Sequence, residues 1–380
     1  MDRQSLEYTR EHYNKHSNQF ATTKEALAAR SSGPSAPLKK LHNTIKRLLI
    51  KRFAGQADRL LDLACGRGGD IWKWIDAGIR QVKGIDLSPH EVDEAGTRFA
   101  EARAKRPELE LDYSFVATPE LGLSEWKEPA PYDAVTCMFA AHYFFVSEAA
   151  LKQFLHNVSI NLVQGGYFFG TVPDGRRVND CVLAGQGMRF HSPMLTVEAR
   201  WKGAPECFGS AYICAIGDTV TGAEKGTDGS LEYLVYSSVF VTVAAQFGLE
   251  PVLDYDTPEL GRLLDPADRA KPLKHFAPRF PQSDPSLERA SRLFATFVFQ
   301  KRRPYPAGAA EPPQKRARAD EGEQAPREDA TAQPTARRRI VKPAAPRAEE
   351  GAPAPKLTEE ERLDATRMPS IEQHLRSSRR

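Results

Sequence analysis

RLLDLACGRGGDIWKWIDAGIRQVKGIDLS, residues 59–88, decides the fold. An apolar run, RLLDLA, enters a turn built on Gly66, Gly68 and Gly69; an amphipathic stretch, DIWKWIDAG, follows it, and then a second apolar run, QVKGIDL. Short apolar runs separated by helical patterns read as buried parallel strands joined by crossover helices. The rhythm continues with a helical HEVDEAGTRFAEARAKR ended by Pro107, the runs LDYSFVA and YDAVTCMF, a helix over SEAALKQFLHNVSINL, a stop at Gly165–Gly166 and the strand YFFGTV. These predict a Rossmann-like α/β domain: a mostly parallel sheet with helices on both faces.

Around this centre the chain divides into three parts. Residues 1–57 form an N-terminal helical segment, in which LKKLHNTIKRLLIKRF places Leu41, Ile45, Leu48 and Leu49 on one face and basic residues on the other. Residues 58–302 hold the sheet; from about 174 to 249 the pattern turns irregular, as an insertion on the sheet's rim would, and RLFATFVFQK at the end reads as a closing antiparallel edge strand. Residues 303–380 carry 16 Lys and Arg, 13 Asp and Glu, 11 of the 28 prolines and one aromatic, Tyr305, a composition that predicts a disordered tail. The tail's excess of three positive charges equals the whole chain's net +3, so the remainder is near neutral and bulk charge argues weakly for nucleic acid. Five widely spaced cysteines without a C-x-x-C pair predict neither a disulfide framework nor a metal site. No apolar run approaches a membrane span and the first residues lack a signal-peptide core, which predicts a soluble intracellular protein.

The glycine turn narrows the chemistry. Glycines serve where backbone passes close to a ligand or takes positive φ, and a strand-to-helix turn aims N–H groups at that ligand. A dinucleotide fingerprint needs G-x-G-x-x-G, but the sixth position is Ile71. An acidic residue shortly before C-G-x-G-G is instead the pattern with which S-adenosylmethionine-dependent methyltransferases of class I hold the methionine part of their cofactor. Asp62 can accept from its ammonium, or merely cap the turn. Asp86, twenty residues past Gly66, can accept from both ribose hydroxyls, or cap the next helix, although Ser88 is the better cap.

Separated segments along the chain are similar to the messenger RNA cap guanine-N7 methyltransferases of eukaryotes and large DNA viruses. REHYN with Arg30 and Ser32, then LHNTIKRLLI, resembles that family's N-terminal elements; LACGRGGDIWKW resembles its cofactor motif; MFAAHYFF and GGYFFGTVPD resemble QFALHYSF and GGYFIGTTPN; LEYLVY and RLFATFVFQK resemble its later strands. The resemblance implies transfer of a methyl group from S-adenosylmethionine to N7 of the cap guanine. It implies Lys46 at the cofactor carboxylate, with Asp62, Ala64, Gly66, Asp86, Met138 and Tyr143 also around the cofactor. Asn43 would touch the cap, Arg67 and Lys73 its phosphates; His142, Tyr143 and Glu232 would form the guanine pocket and Phe294 would cover one side. Ala64, His42, Met138, Phe294 and Thr118 depart from the usual family residues, respectively Gly, Asn, Gln, Tyr and Asp.

These residue types suit the reaction. Guanine N7 has a lone pair and no proton, so placement and electrostatics replace a general base. Glu232 can accept from guanine N1–H and N2–H, His142 can donate to O6, and Tyr143 and Phe294 offer stacking faces. Cys137 reads as a buried apolar residue rather than a nucleophile.

Two other readings stay open: a different RNA or small-molecule methyltransferase on the same sheet, and a non-catalytic subunit of a capping complex. The implied partners are the capped RNA 5′ end, a guanylyltransferase or triphosphatase, because no K-x-D-G motif is present, and RNA polymerase; no membrane is implied. KRAR at 315–318 and RRR at 337–339 fit nuclear import or RNA contact, and the expected location is the nucleus or a cytoplasmic viral factory. KLTEEERLDATR, with a capping box at Thr358 and Glu361, predicts a short helix.

Overall fold

A computed structural model describes residues 9–11, 33–217, 219, 229–255, 257–280 and 284–303. The expected tail after Arg303 and the N-terminal HYN element lie outside them.

Helix α1 (Ala36–Ala54) precedes β1 (Arg59–Leu63), α2 (Ile71–Asp76), β2 (Gln81–Asp86), α3 (Pro89–Ala104), β3 (Asp112–Ala117) and β4 (Tyr132–Met138). A 3-10 turn over Ala141–Val146 leads to α4 (Glu148–Ile160) and β5 (Leu162–Pro173). Serine starts two of these helices as the capping rule requires: Ser88 Oγ accepts from Glu91 N and Ser147 Oγ from Ala150 N. Strands β3, β2, β1, β4 and β5 lie side by side in that order, all parallel.

Alternation along the buried strands sorts their side chains into two cores. Leu60, Ala134, Phe169 and Val298 join the core that includes Ile45, Leu49, Trp74 and Phe99 from α1, α2 and α3. Leu61, Val135, Phe168 and Phe297 join the other, with Phe154 and Leu155 of α4 and Phe240 of α6 (Ser237–Ala245). Each such side chain contributes on the order of 1.5–3 kcal/mol.

Three readings are corrected. Gly165–Gly166 does not end the helix before a new strand; β5 begins at Leu162 and passes through both glycines, with its register against β4 stepping from Tyr132↔Leu162 to Ala134↔Tyr167. Gly165 has φ +82°, which makes the irregularity cheap only for glycine. The last strand, β12 (Phe294–Lys301), is antiparallel to β5 as read, but it is not an edge: β10 (Leu249–Pro251) and β11 (Leu273–His275) both pair with its far side. At three residues each, neither is long enough to show an alternation. The insertion is not irregular either. After α5 (Gly175–Leu183) it forms a four-stranded antiparallel sheet, β6 (Arg189–Ser192), β7 (Leu195–Ala199), β8 (Ala211–Ile216) and β9 (Ser230–Tyr233). Its period was hidden because β8 is buried almost throughout, so no polar positions mark an outer face. Short helices α7 (Pro258–Gly261) and α8 (Pro285–Arg292) complete the described part.

β4 and β5 touch so closely at Gly170 that a methyl group there would sit 1.8 Å from the Cys137 carbonyl oxygen. Gly170→Ala should therefore destabilise the domain by about 3 kcal/mol or more, measured by urea unfolding; a loss below about 1 kcal/mol would show that the pair separates easily.

Candidate active site

The carboxyl ends of β1, β2, β4 and β5 share one edge, the usual place for ligands in open α/β sheets. At the end of β1 the chain takes positive φ at Ala64 (60°), Gly66 (52°) and Gly68 (67°). At Gly68 the left-handed φ, with Ala95 Cβ only 3.2 Å from where a side chain would begin, favours glycine. Ala64 adopts the same left-handed backbone with a Cβ, at a cost on the order of 1 kcal/mol, which is the price of departing from glycine. Asp86, last in β2, accepts from Gly66 N (2.8 Å) with one oxygen and from Ser88 N (2.9 Å) with the other. It ties the glycine turn to the second strand and keeps spare lone pairs on both oxygens. Burial raises its pKa to about 6 despite these bonds, and Ser88, not Asp86, caps α3.

Behind the turn lies a charged cluster. Asp62 is fully buried opposite Thr136, whose hydroxyl donates to it. Burial and then Asp70 push its pKa up to about 8, against that hydrogen bond and the nearby Lys46. Asp70 has the reverse fate. Burial alone would raise it, but Lys46 (2.7 Å) and Lys73 (2.8 Å) both bind its carboxylate and hold it well below the usual range. Lys73, itself buried, also donates to the Gly69 carbonyl (3.0 Å), and burial lowers its pKa to about 8. Two lysines on one carboxylate leave a net positive charge beside the glycine turn, a few residues from a protonated Asp62.

A second buried cluster joins the 3-10 turn to the inserted sheet. Glu232 on β9 is 3% exposed, and its Oε2 lies 3.8 Å from His142 Nε2. Tyr212, directly across on β8, donates its phenol to Glu232 Oε2 (2.7 Å), and Ser230, two residues earlier on the same face, donates to Oε1 (2.7 Å). Burial and Glu232 push the Tyr212 phenol well above its usual range, so it stays a donor. His142 is 2% exposed, and neither ring nitrogen has a hydrogen-bond partner among the described residues. Burial lowers its pKa although Glu232 opposes this, so the ring is neutral. It packs on Tyr143, with ring centres 4.2 Å apart. Buried polar atoms are usually hydrogen-bonded, so the two unpartnered His142 nitrogens beside a buried carboxylate are an exception among the described residues.

A third group is aromatic. Phe294 starts β12 and packs with His42 (5.2 Å) and Phe139 (5.1 Å). Phe139 follows β4 in a left-handed conformation (φ 59°), with its N–H held by the Thr171 carbonyl (2.9 Å). His42 stacks on Phe139, meets Phe276 edge-on and bonds Ser291 Oγ (3.0 Å) through Nε2. Burial drives its pKa to about 3, with Lys46 adding to the effect. Here the departure from asparagine makes sense: a neutral ring fills an aromatic box and ties α1 to α8. Lys46 Nζ lies 6.0 Å from the Phe139 ring, so this box adjoins the charged cluster.

The structure thus brings Lys46, Asp62, Ala64, Gly66, Asp86 and buried Met138 to one edge, and His142, Tyr143 and Glu232 into one buried cluster. Asn43 is half-buried on α1. Arg67 pairs with Glu91 (2.9 Å) rather than standing free, and Lys73 turns to Asp70. Thr118 Oγ1 accepts from Glu120 N, and Cys137 is fully buried with its thiol pushed up by burial. Sequence reasoning missed Asp70, Tyr212 and Ser230. Asp70 had a visible signal in its spacing to Lys73 on the first helical turn; the other two depend on cross-strand pairing that no local pattern reveals.

Residues 2–262 match the profile of the mRNA (guanine-N(7))-methyltransferase domain. The chain belongs to that family. It is 31% identical over 255 residues to mRNA cap guanine-N(7) methyltransferase 1 of Arabidopsis thaliana, covering 64% of this chain and 65% of that protein. The rice protein of the same name, from Oryza sativa subsp. japonica, is 32% identical over 263 residues, covering 66% and 68%. The mRNA cap guanine-N(7) methyltransferase of Saccharomyces cerevisiae is 36% identical over 174 residues, covering 43% of this chain and 37% of that one. The matches therefore span about two thirds of the plant relatives and little more than a third of the yeast one. Among solved structures, an S-adenosylmethionine-dependent methyltransferase from Clostridium acetobutylicum overlaps 76% of this chain and 98% of its own, at 13% identity and a TM-score of 0.43. Within this family match lie Asp62, Asp70, Asp86 and Glu232, whereas Phe294 lies beyond it.

Asp62 gives a pH test. Its folded pKa of about 8 exceeds the unfolded value of about 4, so the native state holds a proton the unfolded chain releases. The resulting stability is complete below about pH 4 and is lost as pH rises toward 8. Asp62→Asn lacks this loss, so its stability relative to wild type should improve by at least about 1 kcal/mol between pH 5.5 and 8 in urea unfolding. Parallel curves would sink the assignment.

Proposed function

We propose that this protein transfers a methyl group from S-adenosylmethionine to N7 of the terminal guanine of an mRNA cap, converting GpppN-RNA to m7GpppN-RNA. The observation that carries the reading is the buried pair of Glu232, held as an acceptor, and His142, with two unmet ring nitrogens, next to a cofactor edge. Together they match a base edge that offers two donors and one acceptor, which is guanine's.

The residues present fit the cofactor. Asp62, a buried carboxyl that among the described residues accepts a hydrogen bond from the Thr136 hydroxyl, is stabilised as an anion by an ammonium group. The net positive charge on Lys46, Asp70 and Lys73 suits a carboxylate, and the spare lone pairs of Asp86 suit vicinal hydroxyls. When bound, S-adenosylmethionine supplies an electrophilic methyl group on a sulfonium.

What the chain itself does is hold and orient. N7 carries no proton, so neither His142 nor Glu232 acts as acid or base. Glu232 accepts from the guanine edge and its charge favours the positive charge that develops on the ring as N7 is alkylated. His142 presents an N–H to O6, Tyr143 packs against it, and Phe294 with Phe139 closes the apolar side. Asn43, Lys73 and Arg67 are assigned to the cap and its phosphates; for Arg67 this requires exchanging Glu91 for a phosphate oxygen. We assign addition of GTP to a separate guanylyltransferase, with a triphosphatase and RNA polymerase as further partners, and place the protein in the nucleus, or in a cytoplasmic factory if it is viral. The basic runs 315–318 and 337–339 favour that location. No helix among the described residues is long and apolar enough to cross a membrane.

The test is methyl transfer from labelled S-adenosylmethionine to RNA ending in unmethylated GpppA or GpppG, with the caps digested and separated. Label should appear in 7-methylguanosine and fall about 100-fold or more in Glu232→Ala, since a polar pocket loses much of its discrimination when its acceptor is removed. Label in another nucleoside would favour a different RNA methyltransferase. Absence of cofactor binding would establish a non-catalytic subunit.

A further inference from the structure

Glu232 has an unusual environment for a recognition carboxylate: it is buried, no lysine or arginine pairs with it among the described residues, and its nearest basic group is a neutral imidazole 3.8 Å away. What keeps it an acceptor is a pair of hydroxyls. A carboxylate has about four in-plane lone-pair sites, two on each oxygen. The Tyr212 phenol takes one on Oε2 and the Ser230 hydroxyl takes one on Oε1, which leaves one on each oxygen. Two remaining acceptors match the two donors, N1–H and N2–H, of a guanine edge. Strand geometry sets the arrangement, because Tyr212 is the cross-strand partner of Glu232 and Ser230 precedes it by two residues on the same face. The other acceptor within reach of Ser230, the Cys214 carbonyl at 3.2 Å, is more distant than the 2.7 Å carboxylate oxygen.

We propose that Tyr212 and Ser230 are positioning residues that hold Glu232 with one free acceptor on each oxygen, and that this gives the pocket its preference for guanine over bases that lack one of the two edge donors. The inference rests on the reading of this pocket as the guanine site. Neither hydroxyl touches the reacting atoms; both act through Glu232. If either is removed, the carboxylate turns to recover the lost bond, and one correctly aimed acceptor is lost. An unpaired N2–H on the ligand then no longer gains over a hydrogen at the same place.

The measurement is kcat/KM for methyl transfer to GpppA-RNA and to IpppA-RNA, whose hypoxanthine keeps N1–H and lacks the N2 amine. Wild type should prefer guanine, and in Tyr212→Phe and Ser230→Ala the guanine-to-hypoxanthine ratio should shrink by about tenfold. The loss should fall mainly on KM. Ser230→Thr, which restores the hydroxyl, should return the ratio to within a few-fold of wild type. Because a ratio of two substrates is independent of how much enzyme is folded, a general packing defect leaves it unchanged. If Tyr212→Phe does not fold, the serine series decides alone. Wild-type transfer with an unchanged ratio in the folded variants overturns this inference and leaves the guanine pocket standing. Failure of wild type to methylate either cap overturns the pocket reading and this inference together.

Discussion

A carboxylate taken out of water must be met by something, and the candidate site is organised by three different answers to that requirement. Asp70 is met by two ammonium groups and is the most firmly ionised group there. Asp62 is met by one threonine hydroxyl and the field of Lys46, which is too little, and it keeps its proton to about pH 8. Glu232 is met by two neutral hydroxyls. Under the proposed function the three answers suit different ligand groups: a positive field for an anion, a carboxyl that releases its proton to solvent as a cation arrives to pair with it, and an acceptor for neutral donors. Had all three been paired with lysines, the edge would be stable and chemically closed.

The fold explains why these answers differ. Asp62 projects from β1 toward the α1-side core, between its strand neighbours Gly84 and Thr136, so only a small hydroxyl can reach it. Asp70 sits one helical turn before Lys73 and opposite α1, where long side chains from two helices converge. Glu232 belongs to the inserted sheet, where cross-strand and same-face neighbours supply its partners automatically. His42 and Ser291 join α1 to α8 and so hold Lys46 against this edge.

Much of this was legible in the chain. The β1–turn–β2 segment showed the sheet and pointed to the kind of cofactor, because strand burial, the glycine positions and the acidic spacing are all local. The inserted sheet was not legible: β8 is buried along nearly its whole length, and its partner strands are four or five residues long. That is also why Tyr212 and Ser230 escaped notice while Glu232 did not. Glu232 was singled out by the resemblance of LEYLVY to the cap methyltransferases, but a tyrosine and a serine become its partners only once the register is known. β10 and β11 escaped for a similar reason, being three residues each, and their absence made β12 look like an edge.

The chemistry proposed here asks little of proton transfer and much of rigidity, and the molecule is built accordingly. A base that must remove a proton needs a pKa near neutrality and freedom to change partners. His142 has neither: burial keeps it neutral, and it is wedged against Tyr143 at 4.2 Å. Tyr212 cannot lose its proton, and Ser230 is locked between two acceptors. A pocket whose imidazole and phenol are both held neutral by burial is poorly suited to acid–base turnover and well suited to recognising a fixed pattern of donors and acceptors. Alkylation of a nitrogen that already carries its lone pair is the kind of reaction such a site can accelerate, since what remains is to present that lone pair along the bond being broken and to offer negative charge where positive charge appears.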